Sequence, residues 1–242
     1  MGSVDPGTYL AVAIAIFVGA TVQSVVGLGL GLVAAPILTL LEPGTMPGTM
    51  IMLALVMPAV TLIHDHHDID WPGLTWSLPA RVFGTGVGVW VVAVFSDRQL
   101  GVVVGVVVLL AVVLTGRVVA VPVNRGTLST AGFVSGITGT ATSIGGPPFA
   151  LLYQHRPAQQ IRTTMAVYFL IGAALSLVGL ALSGDLTSFQ LRSAAQLLPA
   201  LAVGIVVGSM TRRHLPLRLV RPAVLAVSAG SAVVLLVRSL MG

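Results

Sequence analysis

Long uncharged runs constrain this chain more than any other feature. No Asp, Glu, Lys or Arg occurs from Pro6 to Leu41, Pro43 to Ile63, Gln99 to Gly116, Gly126 to Gln154, Thr163 to Gly184 or Ser193 to Thr211. Most of these equal or exceed the roughly 18 apolar residues needed to cross hydrocarbon. Two further stretches, Trp71 to Ser96 and Pro216 to Leu240, qualify once Arg81, Arg218 and Arg221 are accommodated in a bundle or near an interface. Inside lipid no water meets the backbone N–H and C=O groups, so runs of this length must be helices that bond internally. Only 8% of the residues are charged, against about a quarter in soluble domains, so a water-soluble core does not account for the apolar excess. The expected fold is all-α: a polytopic protein, multi-pass in a bacterial inner membrane.

Missing residues exclude chemistry. All 12 basic residues are Arg, so neither a P-loop lysine nor a Schiff base is available. Cysteine is absent, which removes thiol redox centres, disulfides and thiolate metal sites. Glu42 is the sole glutamate, and the six aspartates fall near helix ends or loops, so no buried pair of carboxylates is apparent. No enzymatic activity, no cofactor and no metal is expected. Energy for transport would come from a gradient, through a coupling proton or ion, or from a partner subunit. The net charge of +5 and pI near 11.1 invite a nucleic-acid reading, but the arginines are scattered between apolar runs and form no stripe. They read as positive-inside loop charges. Residues 1–7 lack a basic n-region, so the first apolar segment is expected to be retained.

An internal repeat organises the chain. Gly27 and Gly139 lie 112 positions apart, as do Pro36 and Pro148. Leu78-Pro79-Ala80 recurs 120 positions on as Leu198-Pro199-Ala200, with Gly84 and Gly88 matched by Gly204 and Gly208. Ordered matches with equal internal spacing indicate duplication, a habit of secondary transporters. Two homologous halves follow, residues 1–122 and 123–242. Helices are expected over 8–41 with a break at the glycines, 46–64, 74–95 and 99–119, then over 128–153 with a second break, 161–183, 190–211 and 217–238. Counting each broken segment as one crossing gives about eight crossings. Counting each break as a full hairpin gives ten and makes the repeats inverted. The eight-crossing count places Arg98, Arg156 with Arg162, and Arg212, Arg213 and Arg218 on a shared cytoplasmic side. It puts the His64–Asp70 loop and Asp185 outside, with Arg117 and Arg125 as exceptions.

The two breaks are where a site is expected. The first reads Gln23-Ser24-Val25-Val26-Gly27-Leu28-Gly29-Leu30-Gly31 and ends at Pro36. The second runs from Ser135 and Gly136 through Thr138, Gly139, Thr140, Thr142, Ser143, Gly145 and Gly146 to Pro147 and Pro148. Glycine accepts backbone angles closed to other residues and proline removes a donor, so both stretches favour broken or re-entrant helices. Half-helix N-termini meeting at mid-depth would aim free N–H groups and positive dipole ends at one point, which suits a small anion. The candidate substrate-binding residues are Gln23, Ser24, Gly27, Gly29, Gly31, Thr138, Gly139, Thr140, Thr142, Ser143, Gly145 and Gly146, with Arg162 or Arg81 guiding the anion or balancing its charge.

Other readings stand beside these. Gly27/Gly31 and Gly132/Gly136 also have the GxxxG spacing of packed helices, and for Gly84/Gly88 and Gly204/Gly208 packing is the better reading. Arg81 can snorkel to an interface, and Arg162 can be a topogenic charge. His64, Asp65, His66, His67, Asp68 and Asp70 have a metal-binding composition but read better as a solvated acidic loop, with pH sensing as a further alternative. A dinucleotide fingerprint over Gly27–Gly31 fails for want of a preceding strand and a distal acid.

Through the Gly-rich segment ending at Pro36, its second copy from Gly132 to Pro148, and Arg162-Thr163 at the head of the next helix, nearly the whole chain resembles the TauE/SafE sulfite exporter family. Gly145-Gly146-Pro147-Pro148 with Arg162 is the specific part; the glycine-rich helices elsewhere are not. The resemblance implies a bacterial inner-membrane permease for small sulfur-containing anions such as sulfite or sulfonates. The implied partners are that anion and the lipid bilayer, with a homodimer left open. A channel for water or a small neutral solute, and a non-transporting scaffold subunit, are the rival classes.

Overall fold

A computed structural model describes residues 5–27, 29–116, 121–211 and 217–241. Leu28, Arg117, Arg212 and Arg213 lie outside them, as do the side chains of Arg218 and Arg221. All regular structure among the described residues is helical: α1 Pro6–Val26, α2 Leu30–Leu41, α3 Gly48–Ala54, α4 Val56–His64, α5 Trp71–Val94, α6 Asp97–Gly116, α7 Arg125–Thr142, α8 Gly146–Tyr153, α9 Ala158–Ser183, α10 Ser188–Thr211 and α11 Leu217–Met241. A short 3₁₀ turn at Pro43–Thr45 joins α2 to α3. Six helices are long and apolar enough to cross a membrane: α1, α5, α6, α9, α10 and the Pro222–Met241 part of α11. Large apolar side chains face outward from them, with Phe83 73% and Leu182 84% exposed, as a lipid-facing surface requires.

Helix starts are set by caps that the apolar pattern alone does not mark. Asp5 accepts from the N–H groups of Gly7 and Thr8 ahead of α1, and Asp70 accepts from Gly73 ahead of α5. Asn124 and Thr127 form a reciprocal capping box at α7. Each satisfies first-turn donors that have no intrahelical partner. This is why α5 and α7 begin at 71 and 125 and not at the expected 74 and 128.

Each break reverses the chain. Gly27 ends α1 in the left-handed region at φ 88°, open to glycine and costly for other residues. The chain then returns as α2 along α1. A methyl group at Gly19 would lie 3.2 Å from the Leu30 Cα, and Glu42, just past α2, shares a cleft with Tyr9 and Val12. Ser143 ends α7, also left-handed, at φ 62°. Near the start of α7, Ser129 bonds the Trp76 carbonyl, and at the end of α8 Tyr153 bonds Asp70, so both ends of the second broken segment lie beside the first turns of α5. The broken segments are therefore hairpins.

That geometry corrects the orientation. The first hairpin adds a reversal that moves everything between the two breaks to the opposite face, and the second restores the original parity. The His64–Asp70 loop, expected opposite Arg162, is ion-paired to it through Asp65. Arg125 lies at the same end of the molecule, over the Trp76 ring, and is no exception there. Arg98 lies at the other end, donating to the carbonyls of Ser239 and Leu240 at the end of α11.

Glycines let the central helices approach. In the parallel pair of α5 and α7, a Cβ on Gly136 would lie 2.5 Å from the Arg81 carbonyl oxygen, and one on Gly88 would lie 2.7 Å from the Thr140 Cβ. In the parallel pair of α1 and α10, Gly204 packs on Phe17 and Ala20, and Gly208 on Thr21 and Ser24. The packing reading of Gly84/Gly88, Gly132/Gly136 and Gly204/Gly208 describes what these residues do. One apolar cluster joins Ile16, Leu30, Leu38, Met50, Val108 and Leu201; another joins Leu74, Phe149, Tyr153 and Tyr168.

Candidate anion site

The tips of the two hairpins touch. A methyl group at Gly31 would lie 3.1 Å from the Ser143 carbonyl oxygen and 3.2 Å from Ile144 Cγ1. Ser143 also donates from Oγ to the Pro47 carbonyl at 3.1 Å, tying the second tip to the start of α3.

At the first tip the polar groups are spent locally. The Leu30 N–H, a free donor at the start of α2, is capped at 2.9 Å by Gln23 Oε1. Ser24 Oγ donates to the Ala20 carbonyl one turn back at 2.9 Å. Gly29 packs on Val22, where a Cβ would come within 2.5 Å of Cγ1. The side chains around this tip, among them Ile16, Ala20, Leu32 and Val33, are buried and apolar.

The second tip holds a buried cation. Arg81, on α5, is 3% exposed. Its Nη1 donates to Ser135 Oγ at 3.0 Å, and Ser135 Oγ donates in turn to the Gly145 carbonyl. The guanidinium lies over the Tyr168 ring with Cζ 4.4 Å from the centroid, and Tyr168 stacks in turn on Phe149 at 3.8 Å. Gly172 of α9 lies so close that any side chain there would overlap the guanidinium, and a Cβ on Gly139 would lie 3.2 Å from Nη2. Beside it Thr140 Oγ1 and Ser176 Oγ bond at 2.7 Å, and Ser176 also donates to the Gly172 carbonyl. Thr142 and Thr138 bond back to carbonyls of their own helix, and Thr142 Oγ1 also accepts from the Ile144 N–H. Gly146 opens α8 after Gly145.

Electrostatics single this cluster out. The seven carboxylates of the chain are Asp5, Glu42, Asp65, Asp68, Asp70, Asp97 and Asp185, all at helix ends or in loops. Among the described residues the ion pairs involve Asp65, and none reaches Arg81. A buried charge without a counter-ion costs several kcal/mol, which one neutral hydrogen bond and a cation–π contact of about 1–2 kcal/mol offset only in part. Arg81 Nε has no partner, and neither do the buried hydroxyls of Thr85 and Tyr168. Sequence reasoning did not select Thr85, Tyr168, Gly172 or Ser176. The available signal was the run of small residues on α9, Gly172, Ser176 and Gly179, one turn apart and opposite Arg81 and Thr85.

Arg162 is elsewhere. It pairs with Asp65 and accepts no place at the hairpin tips; its Nη2 also donates to Gln159 Oε1 at 2.8 Å. A hydrogen bond from Gln159, with the His67 N–H and the Arg162 charge, holds the Asp65 carboxyl below its ordinary range. His66 and His67 stack at 4.8 Å, and no group of three or more His, Cys, Asp or Glu among the described residues is arranged to hold a metal ion.

Neither the curated proteins nor the solved structures include a match to this chain. Residues 11–235 match the family described as Sulfite exporter TauE/SafE, from the first turns of α1 to the last turns of α11. Sequence and helices thus agree, and the chain belongs to the sulfite exporter TauE/SafE family, as a multi-pass membrane transporter of small anions and not an enzyme.

Proposed function

We propose that this protein is a secondary carrier for small sulfur-containing anions, sulfite, sulfonates or related oxyanions, which bind where the second hairpin meets α5 and α9. The observation that carries the reading is Arg81: a guanidinium 3% exposed, with Nε unpartnered and no carboxylate in reach. An anion would supply the missing counter-charge, and Ser135, Gly139, Thr140 and Gly145 would frame it. Gln23, Ser24, Gly27, Gly29 and Gly31 would shape the opposing tip, because their polar groups already have local partners. Thr138, Thr142, Ser143 and Gly146 would hold the second tip in its turn.

Alternating access would come from rocking of residues 1–122 against 123–242. In the parallel pairs of α1 with α10 and of α7 with α5, each hairpin leans on a helix of the other half. With two hairpins the chain would make ten passes, several of them short, in two inverted repeats. The end carrying Arg125, Arg156 and Arg162 would face the cytoplasm, because these loop arginines gather there.

Flux into proteoliposomes tests this. Saturable uptake of sulfite or a sulfonate is expected, falling about a hundredfold in Arg81→Gln. Unsaturable flux that ignores Arg81 would point to a channel, and no flux of any sulfur oxyanion would reject the substrate class.

A further inference from the structure

Two hydroxyl groups beside Arg81 have no function yet. Thr85 follows Arg81 by one turn on α5 and is 6% exposed; Tyr168 is fully buried with its ring beneath the guanidinium. Hydroxyls within helices commonly donate back to the carbonyl four residues earlier, as Thr21, Ser24, Thr39, Thr61 and Ser176 do here. Thr85 Oγ1 and the Tyr168 hydroxyl do not, and a buried donor left unpaired is costly. With Arg81 Nε they make three buried donors without a partner among the described residues, on side chains that adjoin one positive charge in sequence or in space.

The charge count is equally restrictive. Among the described residues, Arg125 sits over Trp76, Arg162 is held by Asp65, and Arg98 is at the far end of the molecule, all away from this cluster. One negative charge neutralises Arg81. A second would leave the pocket with a net buried charge of the opposite sign, restoring the penalty that the first removed.

Building on the carrier reading above, we infer that the site is selective for singly charged oxyanions with three acceptor oxygens on one centre, and that Thr85 and Tyr168 are its specificity-determining donors. A sulfonate head has this charge and this number of oxygens. Sulfate has the oxygens but twice the charge, and a simple carboxylate has the charge but one oxygen fewer. Gly139, Gly145 and Gly172 let the guanidinium and the second tip pack this closely, since a side chain at any of them would press on one or the other.

Calorimetric titration of the purified full-length protein with methanesulfonate, acetate and sulfate tests the inference. Methanesulfonate should bind, acetate about tenfold more weakly, and sulfate at least about a hundredfold more weakly. Thr85→Val and Tyr168→Phe should each weaken methanesulfonate about tenfold and narrow its advantage over acetate, with unfolding midpoints close to that of the parent protein. Sulfate binding as tightly as methanesulfonate overturns the charge selection, and unchanged methanesulfonate affinity in both variants overturns the role of the hydroxyls. If the folded protein binds none of the three, the anion reading of Arg81 itself falls, and this inference with it.

Discussion

The two hairpins follow one backbone plan and fill it differently. Both turn through a left-handed residue, Gly27 or Ser143, and both lay their longer arm in parallel against a helix of the other half. In the first, Gln23 caps the Leu30 N–H at the turn and the surroundings are apolar. In the second, Arg81 brings a buried charge that no ion pair among the described residues reaches. The position 120 residues beyond Arg81 is Leu201, fully buried beside the first hairpin. A duplicated frame does not imply duplicated chemistry: one tip is lined by apolar side chains and the other adjoins a buried cation.

Substitutions can break that contrast. The largest effect is expected at Gly172, where Val would drive into the guanidinium; destabilisation of roughly 3 kcal/mol or more, read by thermal unfolding, should accompany loss of transport. Arg81→Met should separate stability from function. Anion flux should fall about a hundredfold while the protein holds or gains about 1–4 kcal/mol, because an unpaired buried charge gives way to an apolar side chain. A matching loss of stability would show that Arg81 is a structural strut.

Gln23→Leu is the counterpart at the first tip. Leaving the Leu30 N–H without a partner should cost about 1–3 kcal/mol, with methanesulfonate affinity unchanged in titration. Weakened binding there would bring the first hairpin into the site. The smallest effect is expected from Arg162→Ala, less than about 1 kcal/mol by denaturant unfolding, since the pair with Asp65 is exposed. The Asp65 carboxyl is held low, so its contribution is present above the ordinary carboxylate range, near 4, and lost as pH falls through the depressed value. Hydrogen exchange in the 64–70 loop should accordingly rise only in strong acid.

Much of this was legible in the residues. Glycine, proline and hydroxyl groups coincide at 23–36 and 135–148, and both stretches do interrupt their helices. Whether an interruption bends or reverses a chain is not written in composition. It depends on the angles taken at Gly27 and Ser143 and on which helix receives the returning arm, and so the orientation drawn from arginines went wrong between the breaks. Arg81 was legible as a charge within a span, but its isolation was not, because that depends on where seven carboxylates end up in space. Thr85 and Tyr168 were invisible for a related reason: a lone hydroxyl in an apolar helix usually bonds to its own backbone, and only three-dimensional packing reveals that these two do not.

The exchange of partners between α1 and α10 also bears on biosynthesis. Helix α1 rests on α10, which is made much later, through Gly204 and Gly208. During translation the first hairpin must wait in the bilayer with this mating face covered only by lipid, until α10 has followed it. Final assembly is therefore a late event, and a nascent chain stalled before α10 would carry an unmated α1 open to proteolytic surveillance.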